Sequence, residues 1–204
     1  KALDHQGMVP YIFSYHPLKD SIDKIAGKYL ADFIKNKCQE ETQKIHFIGH
    51  SMGCIIIRKY LSENALLNIG RVIMIAPPNQ GSYWCNVLIK WKLLRRVFGQ
   101  CLEQLMEGTD SYLTKLSGAA CYELGIIAGN RSLIPWSDLI LGSINDGLVT
   151  VNSAKLSTAK DFIILNLDHL GIIFSRKTIY QIEFFLKNGR FDHSQERRKI
   201  IQLC

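Results

Sequence analysis

Nowhere in the 204 residues does an apolar run approach the ~20 positions that a membrane-spanning helix needs, so none is expected. The six cysteines (Cys38, Cys54, Cys85, Cys101, Cys121 and Cys204) form no CxxC pair and no metal-ligand spacing. They read as free, mostly buried thiols of a reducing compartment, which favours the cytoplasm over a secreted setting. A Cys85–Cys101 disulfide is permitted, but the spacing lends it no support. No repeat of solenoid period, zinc-finger spacing or RNP-like aromatic motif is present, which argues against a repeat array and against nucleic acid as partner. Charged residues are too few, at 21%, for a disordered chain, and 47% hydrophobic content is enough to build one domain's core. The net charge of +7 admits anionic partners without choosing among them. Oligomeric state has no signature here. The chain opens KALDHQ, with neither methionine nor leader, so residues upstream are expected and a signal peptide stays open.

What is present alternates strand and helix. MVPYIFSYHP (8–17) is a short aromatic and β-branched run ending at proline and reads as a buried strand. In DSIDKIAGKYLADFI, Ile22, Ile25, Ala26, Tyr29, Leu30 and Phe33 recur at helical spacing, and Asp20 or Ser21 can cap the start. KIHFIG reads as a strand, SMGCIIIRKYLSEN as a helix, RVIMIAPP as a strand stopped by two prolines, and an apolar run follows near Cys121. DFIILNL (161–167) is a last strand and SRKTIYQIEFFLKNG (175–189) a closing helix with Gly189 beyond it. Strands apolar on both faces predict an α/β fold, a mostly parallel sheet with helices on both sides and its site at the strands' carboxyl ends. From Asn79 to about Gly118 only helix-like sequence occurs, which reads as an insertion above that sheet.

GHSMG (49–53) sits between a strand and a helix. A serine held out on so sharp a turn needs its neighbours two positions away to lack side chains, and Gly49 and Gly53 occupy both positions. The helix start aims backbone N–H groups at the serine, so the Met52 N–H can meet a developing oxyanion. His50 is not the base for Ser51, since adjacent side chains at a strand end diverge; it is expected to pack beside the turn. A glycine-flanked serine occurs by chance elsewhere, but the strand–turn–helix context lowers that weight considerably.

GHSMG after IHFI resembles the nucleophile elbow of the α/β-hydrolase superfamily. IAPPNQGS (75–82) and NDGLVTV (145–151) resemble segments of its bacterial lipase and esterase members, and the likeness spans Val9 to Phe191. Cys54 departs from it, since relatives often carry a second glycine there.

The resemblance implies a chain order of serine, acid, histidine. Of the downstream histidines, His169 in LNLDHLG lies just past the last strand, where the base belongs, whereas His193 lies in a charged tail and reads as solvated. Among the acids, Asp161 begins a strand and falls at the wrong edge. Asp138 precedes the apolar LILGSI and also reads as a start, while Asp146 follows that run at its exit. Taken alone, NDG is an ordinary turn. The likeness of NDGLV to the family's acid segment favours Asp146, with Asp168 as the fallback despite its side chain diverging from that of His169. Where some lipases bind calcium through an acid two residues past the histidine, this chain has Gly171, so no metal and no organic cofactor are expected.

The family's second oxyanion donor comes from a loop after an earlier strand, often marked His-Gly. No such marking precedes residue 8, so that segment is expected upstream of the sequence given, with the domain incomplete at its N-terminus. VLIKWKLLRRVFG (87–99) reads as one amphipathic helix, with Lys92, Arg95 and Arg96 on one face and Val87, Trp91, Leu94 and Phe98 on another, interrupted by Lys90. It suits a lid over an apolar pocket, a contact of Lys90–Arg96 with a membrane surface, or an ordinary helix packed on the core. The function expected is hydrolysis of a carboxylic ester or lipid by Ser51, His169 and Asp146. A non-catalytic binding protein, and a thioesterase or acyltransferase with the same triad, are the alternatives.

Overall fold

The computed structural model describes residues 8–16, 20–38, 43–109, 111–116 and 122–194, with the side chains of 93–95 and 97–99 outside the description. Ser21 caps the first helix, its side chain accepting from the Lys24 N–H. That helix, α1 (Ile22–Lys24), runs through a π-helical stretch (Ile25–Leu30) into α2 (Ala31–Lys37). Then come β1 (Ile45–His50), α3 (Met52–Glu63) and β2 (Ile69–Ile75). Three helices follow, α4 (Tyr83–Leu88), α5 (Lys92–Gln104) and α6 (Tyr112–Lys115), before β3 (Glu123–Gly129). Short α7 (Ser137–Leu141) and α8 (Val151–Ala154) lead to β4 (Asp161–Leu165), α9 (Gly171–Phe174) and α10 (Arg176–Asn188). Gly189 ends α10 at φ 67°, the left-handed stop its position predicts.

Among the described residues the four strands form one sheet in the order β1-β2-β3-β4, every neighbour parallel. Side chains alternate along the strands, so each strand feeds two cores. Val72, Met74, Leu124, Ile126 and Ala128 pack on one face with Ile25, Ile55 and Ile56 of the helices there. Ile73, Ile75, Ile127 and Ile163 pack on the other with Ile172 and Phe185. Both cores exclude water nearly completely, so truncating Phe185 to alanine would cost about 3–5 kcal/mol. The α/β architecture with a parallel sheet and helices on both faces is as the alternation predicts.

Three expectations are corrected. Residues 8–16 are irregular rather than a strand. A strand exists by pairing, none of the four strands takes this run as a neighbour, and Pro10 has no N–H to offer. Phe13 anchors the run by stacking on Tyr15 and packing its ring at a tilt against Phe33, while Val9 and Ile12 stay exposed.

Residues 87–99 are not one helix: α4 ends at Leu88 and a turn through Ile89–Trp91 precedes α5. The two helices answer to different partners. Trp84 of α4 donates to Gly147 O, whereas Gln104 of α5 accepts from Ile22 N and donates to Asp23. A break lets each helix reach its own anchor. The expected grouping of Leu94, Arg95 and Phe98 falls on side chains outside the described residues.

LILGSI is not a strand either; α7 occupies its first half, with Leu139 and Ile140 exposed. The free thiols expected from the sequence are found at Cys38, Cys54, Cys85 and Cys101; Cys121 and Cys204 lie outside the described residues. The Cys101 thiol donates to Asp20 O at 3.0 Å, and burial pushes Cys85 and Cys101 up to about 11.

Candidate active site

β1 delivers the chain to the sheet's carboxyl edge, and Ser51 turns it into α3 with φ 52° and ψ −125°. Such a conformation is strained for any residue with a Cβ and survives only where the surroundings impose it. Ser51 N donates to Ile75 O at 2.9 Å and Ser51 O accepts from Cys54 N at 3.0 Å, so both strand and helix hold the turn. The two glycines differ. A Cβ on Gly49 would lie 2.8 Å from Ile57 Cδ1 and 2.9 Å from Cys54 N, so glycine is required there. A Cβ on Gly53 would meet only the Tyr15 hydroxyl at 3.7 Å, an ordinary contact, so the expectation that both glycines relieve crowding is corrected for Gly53. Met52 opens α3, where a helix leaves its first N–H groups without intrahelical acceptors.

His169 lies past the end of β4 and is 5% exposed. Its Nε2 is 2.9 Å from Ser51 Oγ and its Nδ1 is 2.8 Å from Asp146 Oδ2. The backbone adds a second tie, His169 N donating to Asp146 O at 2.9 Å. Asp146 is 2% exposed, and its other carboxylate oxygen, Oδ1, accepts from Leu148 N at 3.0 Å and Val149 N at 2.8 Å. One oxygen is thus committed to its own loop and the other to the imidazole. The structure therefore brings Ser51, His169 and Asp146 to one point, three segments separated by 118 and 23 positions along the chain.

The other acids serve elsewhere. Asp168 turns its carboxylate onto the start of α9; the Gly171 N–H first, then that of Leu170, holds it below the usual carboxylate range. Asp138 accepts from Asn145, and His193 Nε2 lies 3.0 Å from Asp161 Oδ1, so His193 is hydrogen-bonded rather than simply solvated.

The supporting contacts of five residues escaped sequence reasoning. Gly129 ends β3 where a Cβ would lie 2.8 Å from Asp146 Cβ and 2.5 Å from Leu167 O, so glycine lets the acid loop and the histidine loop meet. A glycine closing an apolar strand was the available signal. Buried Asn145 braces the acid loop, accepting from Gly147 N and donating to Asp138 and Ser143 O. Ser82 and Trp84, at the start of the helical segment, donate to Leu148 O and Gly147 O, two successive carbonyls just past Asp146. His50 places Nε2 2.9 Å from His169 O, with its ring centroid 4.9 Å from that of His169. It does pack beside the turn, but against the imidazole of another loop, a neighbour no local reasoning could supply. Burial, then the nearby His169, lowers its pKa below the ordinary histidine value.

Among the described residues no group of three or more His, Cys, Asp or Glu side chains could hold a metal ion, and no helix is long and apolar enough to cross a membrane.

A parallel sheet with helices on both faces, and a serine on the sharp turn from strand to helix, defines the α/β-hydrolase class. Within it the chain belongs to the serine hydrolase family, whose model matches residues 28–174. No curated protein sequence matches it. Among solved structures it is similar to the mature form of the lipase BlEst2 from Bacillus licheniformis, with a TM-score of 0.65, 24% identity, and coverage of 85% of this chain and 76% of that one. It is also similar to the phospholipase PlaB from Legionella pneumophila (TM-score 0.58, 23% identity), covering 75% of this chain and 40% of that one. A third likeness is to the metagenomic carboxyl esterase MGS0156 (TM-score 0.61, 19% identity), with 74% and 52% covered. The chain thus spans well under two thirds of the latter two. At these identities the likeness is one of fold.

Proposed function

We propose that this serine hydrolase cleaves carboxylic esters through an acyl-enzyme formed on Ser51. The observation that carries the reading is one imidazole bridging a strained serine and a buried carboxylate, at 2.9 Å and 2.8 Å. Ser51 Oγ attacks the ester carbonyl while His169 Nε2 takes its proton. Asp146 holds the Nδ1–H and balances the imidazolium. The oxyanion faces the Met52 N–H, and collapse of the tetrahedral intermediate releases the alcohol with the proton from His169. Water, deprotonated by His169, then frees the acid and restores Ser51.

An apolar acyl group suits the surroundings. Leu148 and Leu170 lie within two residues of the acid and the base in sequence and are exposed. The names of the similar structures, a lipase, a phospholipase and a carboxyl esterase, point to the same ester or lipid class. We read residues of about 79–118 as a lid-like insertion in a single hydrolase domain, tied to the acid loop through Ser82 and Trp84. Exposed Lys90, Trp91, Lys92 and Arg96 give that segment a basic, aromatic surface for contact with a membrane.

The test is a fluorophosphonate, with the adduct located by mass spectrometry, beside Ser51→Ala, His169→Ala and Asp146→Ala. The adduct is expected on Ser51, absent in the first variant and formed at least ~10³-fold more slowly in the second, with a smaller loss in the third. Hydrolysis of an ester series by the labelling-competent protein then separates esterase action from acyl transfer. A folded protein that takes no label would overturn the reading in favour of a binding protein.

A further inference from the structure

We propose that His50 is the positioning residue for His169, a second histidine that fixes where the base stands relative to the serine; this rests on reading Ser51, His169 and Asp146 as the reacting groups. The two segments it joins are 119 positions apart. A backbone carbonyl can only accept, so the proton of the His50–His169 contact sits on His50 Nε2, and its Nδ1 is the bare nitrogen.

The contact differs in kind from the others that hold His169. The Ser51 Oγ to His169 Nε2 hydrogen bond is consumed by the chemistry, because its proton transfers and Oγ leaves to join the acyl carbon. The two ties from Asp146, to Nδ1 and to the backbone N–H, orient the imidazole but connect it only to the acid loop. His50 is bonded covalently to Ser51 and hydrogen-bonded to the carbonyl of His169. It therefore links nucleophile and base by a path that remains intact in the acyl-enzyme, when the direct hydrogen bond is gone. Its ring also stands against the His169 ring at 4.9 Å and a 47° tilt, limiting how far that imidazole can swing while Oγ is acylated.

The residue type fits the task. The charged or titratable groups facing His50 are His169 and the Asp146 carboxylate. A lysine or arginine could donate to the same carbonyl, but would set a permanent positive charge beside the imidazolium that forms on His169 in every cycle. Burial keeps His50 neutral at pH 7, so it donates without opposing that charge.

The comparison is between His50→Gln, whose amide nitrogen takes the place of Nε2, and His50→Phe, which keeps the ring and loses the donor. Each is measured for kcat and KM on a short-chain ester, for the rate of fluorophosphonate labelling at Ser51, and for melting temperature. His50→Phe is expected to lower kcat by roughly 10- to 100-fold with KM changed less than about 3-fold, the scale of a misplaced catalytic group. His50→Gln is expected to recover most of the loss, and the melting temperatures of the two variants should not track their rates. If His50→Phe does not fold, His50→Asn, whose amide stops short of the carbonyl, replaces it in the comparison with His50→Gln.

Wild-type turnover in His50→Phe, or an equal loss in both variants, overturns the proposal while leaving the triad reading in place. A wild-type protein that takes no label at Ser51 removes both.

Discussion

Crowding at the nucleophile turn is unequal on its two sides, and alanine substitutions read that out. Gly49→Ala must push the start of α3 away from β1, and we expect a loss of about 1–3 kcal/mol in urea denaturation, with activity falling further as Ser51 shifts. Gly53→Ala makes only an ordinary contact with the Tyr15 hydroxyl and gains helix propensity, so its stability should stay within about 1 kcal/mol of the parent or rise. A Gly53→Ala variant as unstable as Gly49→Ala would show that the turn is tighter than described. The residues brought to one point were legible for different reasons. Ser51 and His169 follow from glycine spacing and from placement at strand ends, both local facts. Asp146 came through likeness to a family segment, because the supporting strand-exit reasoning failed once LILGSI proved to be helix and exposed loop. Gly129 and the His50 contact were not legible, since each exists only where segments distant in sequence touch.

At the scale of elements, one buried cation ties the helical segment of residues 83–115 to the nucleophile helix. Arg58 of α3, 6% exposed, donates to Asn79 O, Leu113 O and Leu116 O at 3.0, 3.1 and 2.9 Å, joining both ends of the segment to one side chain. Arg58→Met keeps the bulk and strands three buried carbonyls, so unfolding should become easier by about 3 kcal/mol. Proteolysis should then begin between residues 79 and 116; cleavage starting elsewhere would show that other contacts hold the segment. The role of Arg58 was not legible, because its three acceptors lie 21, 55 and 58 positions away along the chain. The four strands of the sheet were legible as short apolar runs, and α3 and α10 as helix-like runs beside them. The break at Ile89–Trp91 was not, because it is set by two anchors, Gly147 and Ile22, that lie far off along the chain.

For the whole molecule, acid should act in two stages. Burial, then the Arg71 charge, lowers the His46 pKa, and its Nδ1 accepts from Arg71 N at 2.9 Å. His50 is lowered likewise by burial. An imidazole with a depressed folded pKa stabilises fully above its unfolded value of about 6.5, and that stability is lost as pH falls below it. Glu123, lowered by its hydrogen bonds to Lys160 and Arg71, and Asp168, held by the Gly171 N–H, contribute above about pH 4 and lose their contribution below it. The melting temperature should therefore be flat between about pH 7 and 8, decline through pH 6 to 5, and fall again below about 4. His46→Asn, whose Oδ1 takes the place of Nδ1 as acceptor, should flatten the first decline; an unchanged curve would assign it elsewhere.

The π-helical stretch between α1 and α2 has a consequence for how this chain tolerates editing. The buried positions Ile22, Ile25, Ala26, Leu30 and Ile34 keep one face toward α3 only because the wide turn absorbs a residue beyond the regular helical count. Gly27 lies on that turn, exposed, with nothing within 4 Å of where its Cβ would be. Excising it would leave the same five side chains at intervals of 3, 1, 3 and 4, the rhythm of an uninterrupted α-helix. The molecule thus carries a built-in site where its length can change by one without rewriting its core.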